Sequence, residues 1–539
     1  MTRCVFLCGW LLAWSAASAY AAPIATHLFP TGGPRGQSVE VTVFGGFDAW
    51  PVKVWSSDKS ITGIAGKTKG QFAIGIAADA LPGIYWLRFY DDTGASALRP
   101  FAVSTFPECR EVEPNDDVAH AQPIALPNLV NGQLQKNGDV DLFAVTLKKG
   151  QTLVAALDAH FPFRSPMDAV LQIVSKSGFV LEQNHDHRGL DPLIAFTAPD
   201  DGTYYVRLFA FPSSPDSSIH FAGGVNYVYR LTLTTEAYAD FAFPLAVNRE
   251  KPGSVSVVGW NVPKAALAVV PIVTNDDVWQ NVLTPLARNP LRIRRESHAV
   301  IEAPKAETPI PPPFSASGVI SEAGQSAKYR ILAKKGTTLQ ITAHGPSLGL
   351  AITPALRLLD PAGKVVQNAQ PDNPSNDVTL KFGVPADGAY TLEVRDLHGS
   401  ASPRHAFLLR VLVEQPDFQL SLAGDRFALV PGKPTEIPIT AVKAGGFAGD
   451  IEVSAIGLPV DVKVDVVPSD GKKPIVLRLT TEKAGASVPF KLVGRSKDGK
   501  ITNRIAEFKM PDFETPTTDI WLTVSPSAMA AVAPPKKKK

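Results

Sequence analysis

The chain has 539 residues and a formal net charge of +2, and it contains 47 prolines and 41 glycines. This length exceeds the ~250–300 residues at which a single core stops growing, so it predicts several domains. The near-neutral charge gives no reason to expect nucleic acid, whose binding proteins carry clustered basic surfaces. Frequent Pro and Gly among abundant aliphatic residues favour short strands over long helices, and the expected class is all-β.

Residues 1–22 have the pattern of a signal peptide. Arg3 precedes an apolar run at residues 5–14, and a small-x-small sequence follows at residues 19–21. No later segment reaches the ~18 uninterrupted apolar residues that a membrane span needs. Removal of the peptide leaves one cysteine, Cys109, which excludes an internal disulfide. The sequence therefore predicts an exported protein without a membrane span.

An acidic stretch from Glu111 to Asp141 carries the most specific pattern in the chain. Glu111, Glu113 and Asn115 alternate, so their side chains share one face of an extended segment. Asp139 and Asp141 repeat this spacing at the entry to an apolar strand. Oxygen ligands without nitrogen or sulfur suit a hard cation, and calcium takes about six to eight of them. The spacing alone fits a solvated acidic linker and turn equally well.

The sequence Glu-x-Glu-Pro-Asn-Asp at 111–116, followed by Gly-Asp-x-Asp-Leu-Phe at 138–143, resembles the bacterial pre-peptidase C-terminal (PPC) domain. The likeness continues through residues 148–151, 168–171 and 200–206. This resemblance implies a small β-sandwich of exported proteins, often found beside peptidases, whose calcium-binding members hold the metal with these acidic segments. The calcium ligands that it implies in this chain are Glu111, Glu113, Asn115, Asp116, Asp139 and Asp141.

The pattern recurs 186 residues later, which predicts a second PPC-like sandwich. In that copy Gln325 and Ala327 replace Asp139 and Asp141, and a linker at 309–313 rich in proline replaces the acidic motif. We therefore expect the second copy to bind no metal. The segments that match are 334–336 over 148–150 and 387–388 over 201–202.

Turn signals and alternating runs divide the mature chain into tandem β-sandwiches, immunoglobulin-like and PPC/jelly-roll-like, joined by short Pro-rich linkers. Residues 29–36 resemble the opening of IPT/TIG domains, and residues 253–260 echo it. The expected divisions are 1–22 (signal peptide), 23–106 (IPT/TIG-like), 107–236 (calcium-binding PPC), 237–305 (TIG-like), 306–414 (second PPC-like), 415–525 (Ig-like) and 526–539 (disordered tail).

Alternation also predicts which side chains point inward. In the first domain Tyr85, Leu87 and Phe89 alternate with Trp86 and Arg88, so the two sets lie on opposite faces of a strand. In the first PPC domain, strands are expected at 142–147, 152–157, 169–174, 179–183, 193–197, 203–209 and 227–234.

Two other groups of polar residues are candidate sites. His185 and His187 have a spacing that could bind zinc, but a closed zinc site needs four ligands and no others are near in sequence. A polar loop is the favoured interpretation. Arg292, Arg294 and Arg295 are expected to form a solvated face rather than a partner site.

The sequence contains neither Gly-x-Ser-x-Gly nor His-Glu-x-x-His, so we expect no enzyme. The arrangement resembles large exported proteins of planctomycete-type bacteria that combine TIG, PPC and Ig-like units. This resemblance implies a binding or scaffold protein whose ligand is an extracellular protein or polysaccharide. The alternative is an accessory or targeting subunit of an exported peptidase. Five tryptophans are candidates for stacking on sugars, or for burial: Trp50, Trp55, Trp86, Trp260 and Trp279.

Overall fold

The structure is a computed structural model that describes residues 21–214, 220–273, 277–301, 308–468, 474–513 and 515–525. Within these residues the regular elements are β-strands, apart from one short helix and one 3₁₀ turn. The strands form ten sheets, which pack around separate apolar cores. The all-β class is therefore confirmed. Of the predicted signal peptide only residues 21 and 22 are described, and the predicted tail at 526–539 lies outside the described residues.

The first sandwich spans residues 24–104. Its strands are β1 (Ile24–Phe29), β2 (Gly32–Pro34), β3 (Ser38–Gly46), β4 (Lys53–Ser56), β5 (Ile61–Ala65), β6 (Gln71–Ile76), β7 (Gly83–Asp91), β8 (Gly94–Ala95) and β9 (Arg99–Ser104). They form the sheets β1-β3-β6-β5 and β2-β9-β7-β4, with β8 beside β7. Leu87 and Phe89 enter the core as their alternation predicts. Arg88, on the opposite face, is also fully buried, because the fifth sandwich covers it.

The second sandwich holds the acidic stretch and spans residues 108–234. Its elements are β10 (Glu108–Arg110), β11 (Gln122–Pro123), β12 (Asn128–Gln133), β13 (Asp141–Leu147), β14 (Thr152–Asp158), α1 (His160–Phe163), β15 (Met167–Val174), β16 (Val180–Asn184), β17 (Leu193–Thr197), β18 (Gly202–Pro212) and β19 (Val228–Thr234). The sheets are β10-β12-β19-β14-β17 and β11-β13-β18-β15-β16. All seven predicted strands are present, and none of their ends differs by more than three residues.

The third sandwich is the smallest. Its strands are β20 (Tyr238–Phe243), β21 (Ala246–Asn248), β22 (Gly253–Trp260), β23 (Leu267–Val270), β24 (Trp279–Thr284) and β25 (Ala287–Glu296), in the sheets β20-β22-β23 and β21-β25-β24. The solvated arginine face predicted here is wrong for two of its three members, since only Arg292 is exposed. Arg295 is buried, Arg294 pairs with the buried Glu296 at 2.7 Å, and the guanidinium of Arg292 lies 4.3 Å from the ring centroid of Trp279.

The fourth sandwich repeats the topology of the second. Its elements are β26 (Ala299–Ile301), β27 (Phe314–Val319), β28 (Ser326–Ala333), β29 (Thr338–His344), a 3₁₀ turn (Pro346–Leu348), β30 (Pro354–Leu359), β31 (Val365–Ala369), β32 (Val378–Gly383), β33 (Gly388–Asp396) and β34 (Ala406–Val413). The sheets are β26-β27-β34-β29-β32 and β28-β33-β30-β31. Although the sequence placed residues 299–301 in the third domain, β26 pairs with β27 of the fourth sandwich.

The fifth sandwich follows at Asp417. Its strands are β35 (Asp417–Leu422), β36 (Arg426–Leu429), β37 (Thr435–Ala444), β38 (Ile451–Ile456), β39 (Lys463–Val467), β40 (Ile475–Thr480), β41 (Val488–Ser496), β42 (Arg504–Ile505), β43 (Glu507–Lys509), β44 (Pro516–Thr517) and β45 (Ile520–Val524). They form the sheets β39-β40-β37-β35-β43-β44 and β36-β45-β41-β38, with β42 beside β41.

The sandwiches pack against one another as well as following in sequence. Tyr238 and Trp260 of the third sandwich cover Val154 and Leu193 on the outer face of the second. Between the third and the fourth, the buried carboxylate of Glu296 accepts hydrogen bonds from arginines of both sandwiches. These contacts exclude a loose string of independent modules.

Arg404 of the fourth sandwich joins three modules at one point. Its guanidinium donates to Asp240 of the third sandwich at 2.7 Å and to the carbonyl of His187 in the second at 3.1 Å. The His187 ring faces Asp240 at 3.5 Å, whereas His185 pairs with its neighbour Asp186 at 3.1 Å. The two imidazoles therefore have different partners, and His187 serves a junction between modules.

Candidate metal centre

A segment at residues 111–124, here named the strap, crosses the edge and outer face of the second sandwich. Its Glu111 amide donates to the Asn131 carbonyl of β12 at 3.0 Å. Its Asn115 carbonyl accepts from the Leu142 amide of β13 at 3.0 Å. The strap therefore connects one sheet of the sandwich to the other. Side chains from the strap and from β13, β15 and β18 form a small apolar cluster beneath it: Val118, Ala121, Leu142, Val174 and Tyr205.

Acidic side chains from the strap and from the entry to β13 converge. One carboxylate oxygen from each of Glu113, Asp139 and Asp141 lies within 4.8 Å of the other two. Asn115, Asp139 and Asp141 are at most 1% exposed. Because calcium–oxygen bonds are about 2.3–2.6 Å, ligand oxygens on opposite sides of one ion lie about 5 Å apart. The spacing of this cluster therefore suits one ion of that size.

Four buried polar atoms of these side chains have no hydrogen-bond partner among the described residues: the oxygens Glu113 Oε1, Asn115 Oδ1 and Asp141 Oδ1, and the amide nitrogen Asn115 Nδ2. Native proteins pair nearly all buried polar atoms, because an unpaired one costs about 1–3 kcal/mol and more when it is charged. The second oxygen of Glu113 is already held, since it accepts the Asn115 amide at 3.0 Å. The unpaired oxygens are thus a donor set that matches a hard cation and contains no nitrogen or sulfur ligand.

The carboxylates of this cluster destabilise one another in the absence of a cation. Burial raises the pKa of Asp141 well above its usual range, and the neighbouring Glu111 raises it further. Burial likewise raises the pKa of Glu111 to about 7, and it raises the pKa values of Glu113 and Asp139. A bound cation would remove this penalty, because an adjacent positive charge favours the ionised carboxylates.

The remaining two predicted ligands occupy different positions. Glu111 lies behind Asp141, with Oε1 accepting the Gln133 amide at 2.8 Å and Oε2 accepting the Tyr229 hydroxyl at 2.9 Å. Asp116 is exposed and is not part of the group of three converging carboxylates. The strap thus brings Glu113 to Asp139 and Asp141 and holds the Asn115 backbone against Leu142, while Glu111 lies behind Asp141.

Tyr229 is the member of this centre that the sequence analysis missed. Its hydroxyl lies 2.5 Å from Asp141 Oδ2 and also contacts Glu111, and the side chain is 1% exposed. It stands opposite Gly132 in the ladder of β12 and β19, and a Cβ at residue 132 would clash with the tyrosine ring. Nothing in the sequence distinguishes this tyrosine from other residues of an apolar strand, so only the fold identifies it.

The fourth sandwich keeps the scaffold of the second, and among its described residues no group of carboxylates comparable to Glu113, Asp139 and Asp141 converges. Asp141 pairs with Leu208 and Ala327 pairs with Val394, which are equivalent positions in the two ladders. The Lys149 amide donates to Asp201 at 2.7 Å, and the Lys335 amide donates to Asp387 at 2.6 Å. Opposite Gly318, the equivalent of Gly132, stands Phe407 in place of Tyr229. The copy has therefore lost the bridging hydroxyl as well as the aspartates.

Comparison with known proteins also identifies the second and fourth sandwiches as two copies of one domain. The model of the family "Bacterial pre-peptidase C-terminal domain" matches residues 139–210 and 325–396, two segments related by the 186-residue repeat. A curated relative, a probable subtilase-type serine protease of Deinococcus radiodurans, is 35% identical over 98 residues. These residues make up 18% of this chain and 14% of that protein, so most of the relative has no counterpart here.

Two solved structures are similar at low scores. The pre-peptidase C-terminal domain of a collagenase from Bacillus anthracis is 14% identical, with a TM-score of 0.17 over 23% of this chain and 100% of that one. The insect immune protein hemolin is 11% identical, with a TM-score of 0.21 over 90% of this chain and 99% of that one. Scores this low carry no inference about function. The two family matches, on sandwiches that share strand order and register, show that this chain carries two bacterial pre-peptidase C-terminal domains.

Proposed function

We propose that the first PPC domain binds one calcium ion, which pins the strap onto the sandwich. Glu113, Asn115, Asp139 and Asp141 would hold the ion, with Glu111 behind them. Calcium would supply positive charge to buried carboxylates, and its role here is structural. The unpaired buried oxygens of Glu113, Asn115 and Asp141 carry this proposal, since they need a partner that the described part of the chain does not provide.

Calorimetric titration of the full mature chain with calcium tests this proposal. We expect one ion per chain and a higher melting temperature, since a ligand at a hundredfold its dissociation constant stabilises by about 2.7 kcal/mol. Asp141→Asn should abolish the effect, whereas Gln325→Ala, at the position equivalent to Asp139 in the second PPC domain, should leave it unchanged. Binding of two ions, or none, would contradict the proposal.

We further propose that the whole chain is a non-enzymatic, exported binding or scaffold protein. PPC domains fit a non-catalytic binding module, and the two in this chain pack against a third sandwich between them. No helix among the described residues is both long and apolar enough to cross a membrane. An assay of the purified chain on casein should detect no cleavage. Cleavage that a single Ser or His substitution removes would refute this part of the proposal.

A protein ligand is favoured over a polysaccharide, because the candidate tryptophans are engaged within the chain. Trp50 packs in the first core and donates to the Gly66 carbonyl, and Trp260 covers the second sandwich. Trp55 and Trp86 contact the fifth sandwich, and Trp279 lies beneath two arginines. Capture of exported proteins on the immobilised chain, with and without calcium, should recover a protein partner. Retention on insoluble polysaccharide instead would favour the other ligand class.

The second candidate is an accessory or targeting subunit of an exported peptidase. It is favoured by one observation, the 35% identity with a segment of a probable subtilase-type serine protease. Because that segment is 14% of the relative, the likeness concerns a module and not the catalytic activity. A stoichiometric peptidase among the captured proteins would support this candidate over a general scaffold.

A further inference from the structure

The outer face of β7 in the first sandwich is covered by the fifth sandwich, more than 300 residues away in sequence. Arg88 of β7 is 0% exposed, and its Nη2 lies 2.8 Å from Oδ2 of Asp425 and 3.0 Å from the carbonyl of Asp519. Its Nη1 donates to the Ser96 carbonyl of its own sandwich at 2.8 Å. The carboxylate that neutralises this arginine therefore belongs to another module.

Aromatic contacts surround this ion pair. Trp521 of β45 is 1% exposed, with its ring centroid 4.6 Å from that of Tyr90 and 6.1 Å from that of Trp55. Trp86 meets Phe513 edge to face at 4.9 Å. A buried charge pair within an aromatic contact is typical of an interface that stays closed, because separation would expose both the apolar rings and two uncompensated groups.

A second arginine crosses in the opposite direction. Arg426 of β36 donates to the Ala95 carbonyl of β8 at 3.2 Å, while its Nε lies 3.2 Å from Oδ1 of Asp425. The Asp425 carboxylate is thus shared between an arginine of each sandwich, and each of these arginines also reaches a carbonyl of the opposite sandwich. We name this contact the clasp, and its residues are Trp55, Trp86, Arg88, Tyr90, Leu98, Asp425, Arg426, Met510, Phe513 and Trp521.

We propose that the clasp is a permanent intramolecular interface, so that the partner of the β7 face is the last sandwich of the same chain. The other junctions already connect the second, third and fourth sandwiches, and the clasp then closes the chain on itself. In the closed form Trp55, Trp86 and Trp521 contact aromatic rings of the opposite sandwich and not external ligands. This inference does not depend on calcium or on the identity of the ligand.

Cleavage of the intact chain tests it. A site-specific protease sequence inserted between Glu414 and Gln415 lets the covalent link to the fifth sandwich be cut after folding. In the wild-type background we expect both fragments to elute together from a sizing column, at the position of one uncut monomer. Separation of the wild-type fragments would overturn the proposal, and so would elution of the uncut chain as a dimer, which would assign the contact to a second copy.

Substitutions identify the residues responsible. Asp425→Ala leaves Arg88 buried without its partner. We therefore expect the dissociation constant of the two fragments of the cut chain to rise more than about a hundredfold. The double variant Arg88→Met with Asp425→Leu removes both charges, and it should recover much of the association, because an apolar pair of similar volume replaces a buried ion pair well. Arg478→Met removes an exposed pair within the fifth sandwich and is the matched control.

The far-UV circular dichroism of each uncut variant shows whether its sandwiches are folded before cleavage. If Asp425→Ala folds and its cut fragments stay together as tightly as the wild type, the clasp is not held by this ion pair and the proposal fails. If Asp425→Ala does not fold, the test rests on the double variant Arg88→Met with Asp425→Leu. Separation of its fragments, under the solution conditions in which the wild-type fragments stay together, would also overturn the proposal.

Discussion

At the scale of single residues, Tyr229 links the two halves of the candidate metal centre. Its hydroxyl contacts Glu111 of the strap and Asp141 of β13, and a phenylalanine, Phe407, takes its place in the copy. A group behind the ligands orients them, and removal of such a partner typically costs about 10–100-fold in metal affinity. Tyr229 therefore couples the ordering of the strap to the position of a buried ligand.

Tyr229→Phe tests this coupling. We expect calcium affinity to fall by at least about tenfold with little change in the folded state, because only the bridging hydroxyl is lost. Isothermal titration calorimetry measures the effect. Tyr390→Phe in the second PPC domain, whose hydroxyl donates to the Ala386 carbonyl, is the control and should not alter calcium binding. Equal affinities for wild type and Tyr229→Phe would show that the hydroxyl does not position the ligands.

The pKa of Glu111 predicts a pH dependence. Burial raises the pKa of Glu111 to about 7 in the calcium-free protein, whereas the unfolded chain ionises near 4.5. Between these values the native state binds more protons than the unfolded state, so calcium-free stability falls as pH rises through the window. We expect the calcium-dependent rise in melting temperature to be small at about pH 5, where Glu111 is protonated. The rise should be large at about pH 8, where the ionised carboxylates need a cation. A pH-independent rise would contradict this expectation, and Asp141→Asn should show no rise at either pH.

At the scale of elements, each PPC domain uses one aspartate to anchor a helical turn, which follows β14 in the first domain and β29 in the second. In the first domain Asp191 accepts the amides of Ala159, His160 and Phe161, at 3.2, 2.7 and 2.9 Å, and so caps α1. In the second, Asp377 accepts the amide of Gly345 at 3.0 Å beside the equivalent 3₁₀ turn. This shared aspartate explains why the two domains both have a short helical turn at this position, α-helical in the first and 3₁₀ in the second.

Asp191→Ala removes the cap of α1. One buried amide, that of Ala159, and the part-buried amides of His160 and Phe161 would then lose their acceptor, and the loss of such a cap costs about 0.5–2 kcal/mol. We expect faster hydrogen exchange at residues 159–163, measured by mass spectrometry, with the rest of the sandwich unchanged. Asp377→Ala is the matched variant and should have a smaller effect, because Asp377 is 18% exposed while Asp191 is 1% exposed. Unchanged exchange in Asp191→Ala would show that the turn does not need its cap.

At the scale of the whole molecule, Arg404 holds three sandwiches together. It donates to Asp240 of the third sandwich, to the His187 carbonyl of the second and to the Gly349 carbonyl of its own. Asp240 is nearly buried, and its pKa is lowered because the hydrogen bond from His187 and the charge of Arg404 outweigh desolvation. The junction therefore makes the modules depend on one another for stability.

Arg404→Met tests that dependence. Removing one partner of a buried ion pair costs about 3–5 kcal/mol, so we expect the second, third and fourth sandwiches to melt in separate transitions. Differential scanning calorimetry on the full chain measures the separation. Arg495→Met removes an exposed pair with Glu452 and should change stability by only about 0–1 kcal/mol. A single shared transition in Arg404→Met, at the wild-type temperature, would refute this role for the arginine.

The sequence by itself determined the class of the fold, the positions of the strands and the repeat. These features follow from local patterns: alternation sets which face of a strand is buried, and Gly-rich or Asp-rich turns set where it ends. The 186-residue offset is enough to show that Gln325 and Ala327 stand at the positions of two aspartates in the second copy. The acidic strap was also visible, because its charge density is unusual without any knowledge of its surroundings.

The tertiary structure alone decided which polar groups are buried and what they touch. Arg295 belongs to a cluster predicted to be solvated, and Arg88 lies on the face of β7 opposite its own core, yet loops cover Arg295 and the fifth sandwich covers Arg88. Tyr229 and Asp141 meet across 88 residues, and Arg88 meets Asp425 across 337. Periodicity carries no information about such pairs, because it reports how a strand faces its own sheet and not which module packs on the other side.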